Sequence, residues 1–291
     1  MSTTATARPE RRKQHISPLS RRPGFLTYAV LIAALLASVF PLYYSFVVPT
    51  RDNSVIGDSA LSLTPGGHLF ENIHRVFDKV DFWLAIRNSL IISTTVTVCC
   101  VLLASLAGFA FAKLPFRGRG ALFLIVVITA MLPTQLGVVP LYMLMGHLGW
   151  IATLPAVIGP ALVSAFAVFW MRQACEESVP YELVEAARID GCSTLGTFWH
   201  VALPAIRPQA SVLAMFTFMG AWNDFMWPLI VLDPSESPTV QTALSSLAAG
   251  YSLDYTLILS GAALGVLPLI VIFILLSRQI VAGVMQGAVK G

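Results

Sequence analysis

A chain of 291 residues that is 56% hydrophobic and only 11% charged, with a mean hydropathy of +0.77, is far too apolar for an ordinary soluble domain. Its formal net charge of +3 comes with no stripe of basic and aromatic residues, which argues against a nucleic-acid surface. The four cysteines and five histidines show neither a disulfide framework nor metal-ligand spacing, so no metal or cofactor is expected.

Residues 1–22 are rich in Arg, Ser, Thr and Pro without an apolar period and read as a flexible tail ahead of a transmembrane domain over 23–291. Six apolar runs follow, at 24–48, 88–112, 121–141, 153–171, 209–232 and 257–277, each near the ~20 residues that cross a hydrocarbon core. The first is too long for the ~7–15-residue core of a secretory signal and has no small-residue cleavage site, so it reads as an uncleaved span. The expected fold class is an all-α integral membrane protein with six transmembrane helices.

Fourteen of the 18 Lys and Arg fall in the N-terminal tail, the 113–120 loop, the 172–208 segment and the C-terminal tail. The remaining four, Arg51, Arg75, Lys79 and Arg87, lie in 49–87, and none lies in 142–152 or 233–256. Basic residues are retained on the cytoplasmic side of short loops, so both termini and the 172–208 segment are expected in the cytoplasm. The outer 49–83 stretch carries the turn signal Thr64-Pro65-Gly66-Gly67 and room for short surface helices. Prolines 41, 133, 140, 155, 160 and 268 sit in or beside spans. Each frees a backbone carbonyl, which a membrane tolerates where neighbours or a water-lined cavity satisfy it; together they favour a bundle around a pathway.

The polar interval 178–204 predicts two short helices meeting at a glycine. Ser178 is the expected N-cap of the first, Pro180 and Glu182 suit its first turn, Glu185 and Arg188 are spaced to pair, and Gly191 suits a left-handed C′ position. The second starts near Ser193 or Thr194, puts Leu195, Phe198, Trp199 and Ala202 on one face, and is ended by Pro204. The alanines at 186 and 187 remove side-chain bulk, so another protein could approach closely. Further on, Asp224 is the one acid well inside an apolar run, within Trp222-Asn223-Asp224-Phe225-Met226-Trp227-Pro228. An intramembrane carboxylate is a functional candidate, and aromatic rings beside hydrogen-bonding groups suit sugars. Trp222, Asn223, Asp224 and Trp227 are therefore candidates for a substrate pathway or gate, with an interfacial aromatic belt as the other reading. With no Lys or Arg deep in a span, a neutral cargo is favoured.

Glu185-Ala186-Ala187, Asp190-Gly191 and, after nine residues, Val201-Ala202-Leu203-Pro204 resemble the signature of the integral membrane subunits of ATP-binding-cassette importers, with Cys192 and Val201 replacing the usual Ala and Ile. The resemblance spans nearly the whole chain and narrows to the carbohydrate-uptake branch, specifically the smaller permease of the maltose type. It is supported by Asn88-Ser89-Leu90, Leu106-Ala107-Gly108-Phe109-Ala110-Phe111, Pro140-Leu141-Tyr142, Trp222-Asn223-Asp224-Phe225 and the closing Gly287-Ala288-Val289-Lys290-Gly291.

The resemblance implies a bacterial inner-membrane permease for a di- or oligosaccharide, with glycerol-phosphate-type substrates as the second choice. It also implies a second homologous permease, an ATPase subunit dimer and an extracytoplasmic sugar-binding protein as partners, besides membrane lipid. Glu185, Ala186, Ala187, Asp190, Gly191, Leu203 and Pro204 are then the ATPase-coupling residues, and the tail at Gly287 and Lys290 reaches the ATPase. The 233–256 loop either enters the binding protein or is a plain hairpin. No Gly-x-x-x-x-Gly-Lys-Ser/Thr loop occurs in the chain, so hydrolysis is expected on a separate subunit and not here. The alternative is an ion-coupled secondary carrier that uses Asp224.

Overall fold

The computed structural model describes residues 24–52, 63–249 and 253–288, and every regular element among them is helical. The N-terminal tail and Lys290 lie outside the described residues, and Gly287 falls in the last turns of the final helix. The chain divides into two units, up to Ser45 and from Phe46 onward. The described part of the first belongs to helix α1 (Phe25–Val47), an apolar helix whose Ser38 and Ser45 hydroxyls donate back to the carbonyls of Ala34 and Pro41. Such back-bonding satisfies a hydroxyl in lipid without a partner helix.

In the second unit, a 3₁₀ turn (Val48–Thr50) and α2 (Leu69–Lys79) precede the long α3 (Phe82–Lys113). α3 begins six residues before the expected 88 because Asp81 caps it, accepting from the Leu84 N–H at 3.0 Å. Hydropathy windows pass over such a polar cap.

The expected third span, 121–141, is two helices. α4 (Arg119–Met131) meets a 3₁₀ turn (Thr134–Gly137) and α5 (Val138–His147) at 94°. The break lies at Leu132, extended at φ −77°, ψ 133°, because the residue before Pro133 is pushed out of the helical region. The fourth span is likewise bent, by 41°, between α6 (Leu154–Ala161) and α7 (Ala165–Ser178). Ser164 restarts the helix by accepting from the Ala167 N–H at 3.3 Å. Among the described residues four helices are long and apolar enough to cross a membrane alone, and there are six spans when each bent pair is counted as one.

The fifth span departs most from expectation. α8 (Tyr181–Ile189) is a separate short helix, but α9 (Thr194–Thr197), a π-helical turn (Phe198–Ala202) and α10 (Leu203–Trp222) run on as one helix over 194–223. Pro204 does not end it. It stands at the start of α10 just after the wide π turn, where a missing N–H costs little. α10 then breaks at Asn223–Phe225, followed by α11 (Met226–Val231), α12 (Val240–Leu247) and α13 (Tyr255–Ala288).

In lipid, helices associate by close packing and interhelical hydrogen bonds. α3 is the central stave. A Cβ at Gly108 would lie 2.6 Å from the Met171 carbonyl carbon and the Arg172 nitrogen, so glycine lets α3 and α7 touch backbone to backbone. Asn88 donates to the Pro238 carbonyl at 2.9 Å and the Ser89 hydroxyl accepts from the Val240 N–H at 2.8 Å, which ties α3 to the start of α12. α12 itself is capped by Thr239 and Thr242 and buries Val240, Ala243 and Leu247. The 233–256 interval therefore holds a packed helix over Val240–Leu247.

On the side of α2, the buried Asn72 donates to the carbonyls of Pro49 (2.9 Å) and Arg51 (2.7 Å) and accepts from Arg75 at 3.0 Å. Arg75 also pairs with Asp254, whose carboxylate accepts from the Thr256 hydroxyl (2.7 Å) and the Leu257 N–H (3.0 Å) at the start of α13. Burial alone would raise the Asp254 carboxyl, but these donors and the guanidinium together hold it below its ordinary range.

Candidate functional site

The bends converge. A cavity of about 690 Å³ is walled by Thr134, Gln135 and Val138 from the α4–α5 bend, by Val157 and Pro160 from α6, and by Asp224 and Trp227 from the α10–α11 break, with α3 behind them. The volume is that of a small-molecule pocket. Pro133 interrupts the span at one wall and Ser164 restarts the helix just beyond another, so irregular backbone occurs where it lines a cavity.

The four pathway candidates separate. Asp224 lies on the cavity wall, half-buried, with the Trp227 N–H 3.5 Å from its Oδ1. Trp227 also lines the cavity, and its indole N–H donates to the Ala156 carbonyl at 3.0 Å, which fixes α11 against α6. Trp222 does not line the cavity. It is 1% exposed, stacks on Phe218 and donates to the Gly265 carbonyl at 3.1 Å, so its volume and its one donor are spent on the α10–α13 contact. Asn223 is absent from the lining and accepts from Gln241 at 3.2 Å, joining the end of α10 to α12. Sequence reasoning passed over Thr134 and Gln135, although Pro133 beside them was the available signal.

The 178–204 segment has one feature of high definition, the end of α8. Gly191 adopts φ 78°. Its N–H donates to the Arg188 carbonyl at 3.0 Å while the Cys192 N–H reaches the Ala187 carbonyl at 2.9 Å. That 6→1 and 5→2 pair is a Schellman ending. Ser193 then caps α9 through the Gly196 N–H at 3.1 Å.

Three expectations are corrected. Ser178 ends α7 and does not cap α8, whose N-cap is Pro180. No Glu185–Arg188 ion pair occurs among the described residues, since both side chains are exposed and such a pair gains little in water. Of the expected apolar face only Phe198 and Ala202 are buried, whereas Leu195 and Trp199 are 60% and 45% exposed. With Ile189 at 86% they form an apolar surface projecting from a polar segment.

A helical bundle whose spans break around one cavity, with a rigidly terminated element between spans, defines a polytopic membrane permease. Residues 101–286 match the family described as binding-protein-dependent transport system inner membrane component, and the chain belongs to it. It is 35% identical over 270 residues to the lactose transport system permease protein LacG of Rhizobium radiobacter, covering 93% of this chain and 97% of that one. It is 34% identical to the arabinooligosaccharides transport system permease protein AraQ of Halalkalibacterium halodurans, with 91% and 96% covered. Identity is 29% to the sn-glycerol-3-phosphate transport system permease protein UgpE of Shigella flexneri, with 89% and 95% covered.

A solved structure, that of a bacterial ABC transporter involved in the import of the acidic polysaccharide alginate, superposes with a TM-score of 0.77 over 87% of this chain and 95% of that one. At 20% identity this likeness concerns the fold. Family membership displaces the ion-coupled carrier reading.

Proposed function

We propose that this permease is one half of the translocation path of an ATP-driven sugar importer, carrying a di- or oligosaccharide received from an extracytoplasmic binding protein. The second half is a homologous permease, and the driving subunits are a separate ATPase dimer. The support for a sugar is the pairing of a 690 Å³ cavity bearing an indole, an amide, a hydroxyl and a carboxylate with relatives whose names specify lactose and arabinooligosaccharides. A saccharide stacks its C–H face on an aromatic ring while its hydroxyls use the polar groups.

In this reading the 178–204 segment docks the ATPase. Glu185, Ala186, Ala187, Asp190 and Gly191 form the inserted end of α8, and Leu203 and Pro204 carry the motion straight into α10, because 194–223 is one continuous helix. Both termini lie with it on the cytoplasmic face of the inner membrane, and the tail at Gly287 and Lys290 supplies a second contact with the ATPase. The observation that carries the coupling proposal is that continuity: α10 ends at the cavity, so displacement of α9 moves the wall bearing Asp224.

The test is reconstitution of the chain with its companion permease, ATPase and binding protein in proteoliposomes. Sugar accumulation is expected only with ATP inside the ATPase compartment and with the binding protein present. Accumulation without the ATPase subunit would overturn the reading.

A further inference from the structure

The cavity wall has an uneven charge. Its polar groups are the Thr134 hydroxyl, the Gln135 amide and the Asp224 carboxylate, and no Lys, Arg or His lines it among the described residues. Three cations of the second unit are occupied elsewhere: Arg75 pairs with Asp254, Arg172 pairs with Glu176 and lies over the Phe123 ring, and Arg51 donates to Thr64. The hydrogen-bonding neighbour of Asp224 is the Trp227 N–H at 3.5 Å, a weak contact that leaves the carboxylate facing the space a cargo would fill. The remaining wall is apolar, including Ile92, Val96, Leu141 and Val157, so little in it screens a charge.

We infer that Asp224 makes this cavity an anion filter, through which a neutral saccharide passes while uronic acids and phosphorylated sugars are turned away. The inference rests on the cavity being the cargo path. A negative group brought within roughly 6–7 Å of a carboxylate at an effective dielectric near 20 is disfavoured on the order of 50-fold against a neutral group of equal size. A neutral sugar meets no such term and gains an acceptor for its hydroxyls. Family membership does not decide this point, because the relatives' names include both neutral sugars and a phosphate ester. The wall residues do.

The experiment reads the local field directly in the assembled importer. A Thr134→Cys reporter on the cavity wall is modified with a cationic trimethylammonium methanethiosulfonate and with an anionic sulfonate counterpart. Each rate is divided by that of the same reagent with free mercaptoethanol and corrected for the parent protein's own cysteines. The cation is expected to react at least about tenfold faster, and Asp224→Asn should bring the ratio close to one while Asp224→Glu preserves it.

A ratio near one in the Thr134→Cys protein itself, which needs no change at Asp224, overturns the filter. So does a ratio that Asp224→Asn leaves unmoved. ATP-driven uptake measured on vesicles of the parent protein separates the two ideas: a cation preference at the Thr134→Cys reporter without ATP-driven sugar uptake by the parent sinks the importer reading, whereas uptake by the parent with no preference at the reporter sinks the filter alone.

Discussion

Two glycines illustrate opposite reasons for the same residue. At Gly191 an added Cβ would meet nothing within 4 Å, yet φ is 78°, so the constraint is purely conformational. Gly191→Val should cost roughly 1–2 kcal/mol in the Schellman turn and lower ATP-driven uptake, while Gly191→Asn, which tolerates the left-handed region, should retain most of it. Equal uptake by both variants at equal membrane levels would refute the assignment of this turn to coupling. Gly108 has ordinary helical geometry but no room, with backbone of α7 2.6 Å from the missing Cβ. Gly108→Ala should therefore destabilise the bundle by about 1–3 kcal/mol, read as a lower midpoint of thermal unfolding in detergent. Gly220→Ala, where nothing lies within 4 Å, is the matched control and should leave the midpoint unchanged or raise it.

At the scale of elements, the link between α2 and the head of α13 is a polar one and so responds to pH. Asp254 is depressed by Thr256, Leu257 and Arg75 acting against burial. A carboxyl with a lowered folded-state value stabilises the fold fully above its unfolded value and loses that contribution as pH falls through the folded one. Because Arg75 is 42% exposed, the contribution is small, about 1 kcal/mol or less. Asp254→Asn should unfold at a lower temperature than the parent at pH 7, and the difference should close below about pH 4. A gap that persists in acid would mean that packing, and not ionisation, holds this junction.

The elements also mark how far the sequence could be read. Six apolar runs were legible because bilayer thickness imposes one length on every span. Their interruptions were not, since a hydropathy window averages over Leu132-Pro133 and over Leu162–Ser164 and records no direction of travel. The same averaging hid the junction of α9 with α10, where a π turn carries the helix past Pro204. Gly191 was legible because a left-handed position has one cheap residue. The place of Trp222 away from the cavity was not legible, because an aromatic beside an acid suits a sugar contact and a packing role alike, and only the partner helix reveals that its N–H belongs to Gly265.

For the whole molecule, the bends and the long helix act together. α3, α7 and α10 pack tightly toward the 178–204 segment, with Phe109, Met171, Phe198 and Ile206 buried in one cluster. The cavity opens at the other end of the same helices, where α4, α6 and α10 all break. In the proposed reading a push on α9 reaches the cavity wall through one continuous helix, and the energy comes from the separate ATPase. The isolated chain should accordingly show no nucleotide labelling that excess ATP abolishes.

In the assembled importer, Asp224→Asn keeps size and hydrogen bonding and should retain substantial ATP-driven uptake of a neutral sugar, whereas Asp224→Leu should lose more of it by removing the polar contact. An imposed pH gradient without ATP should drive no accumulation in either variant or in the parent protein. Gradient-driven uptake by the parent, lost completely in Asp224→Asn, would instead make Asp224 a coupling carboxylate and reverse the direction in which force travels along α10.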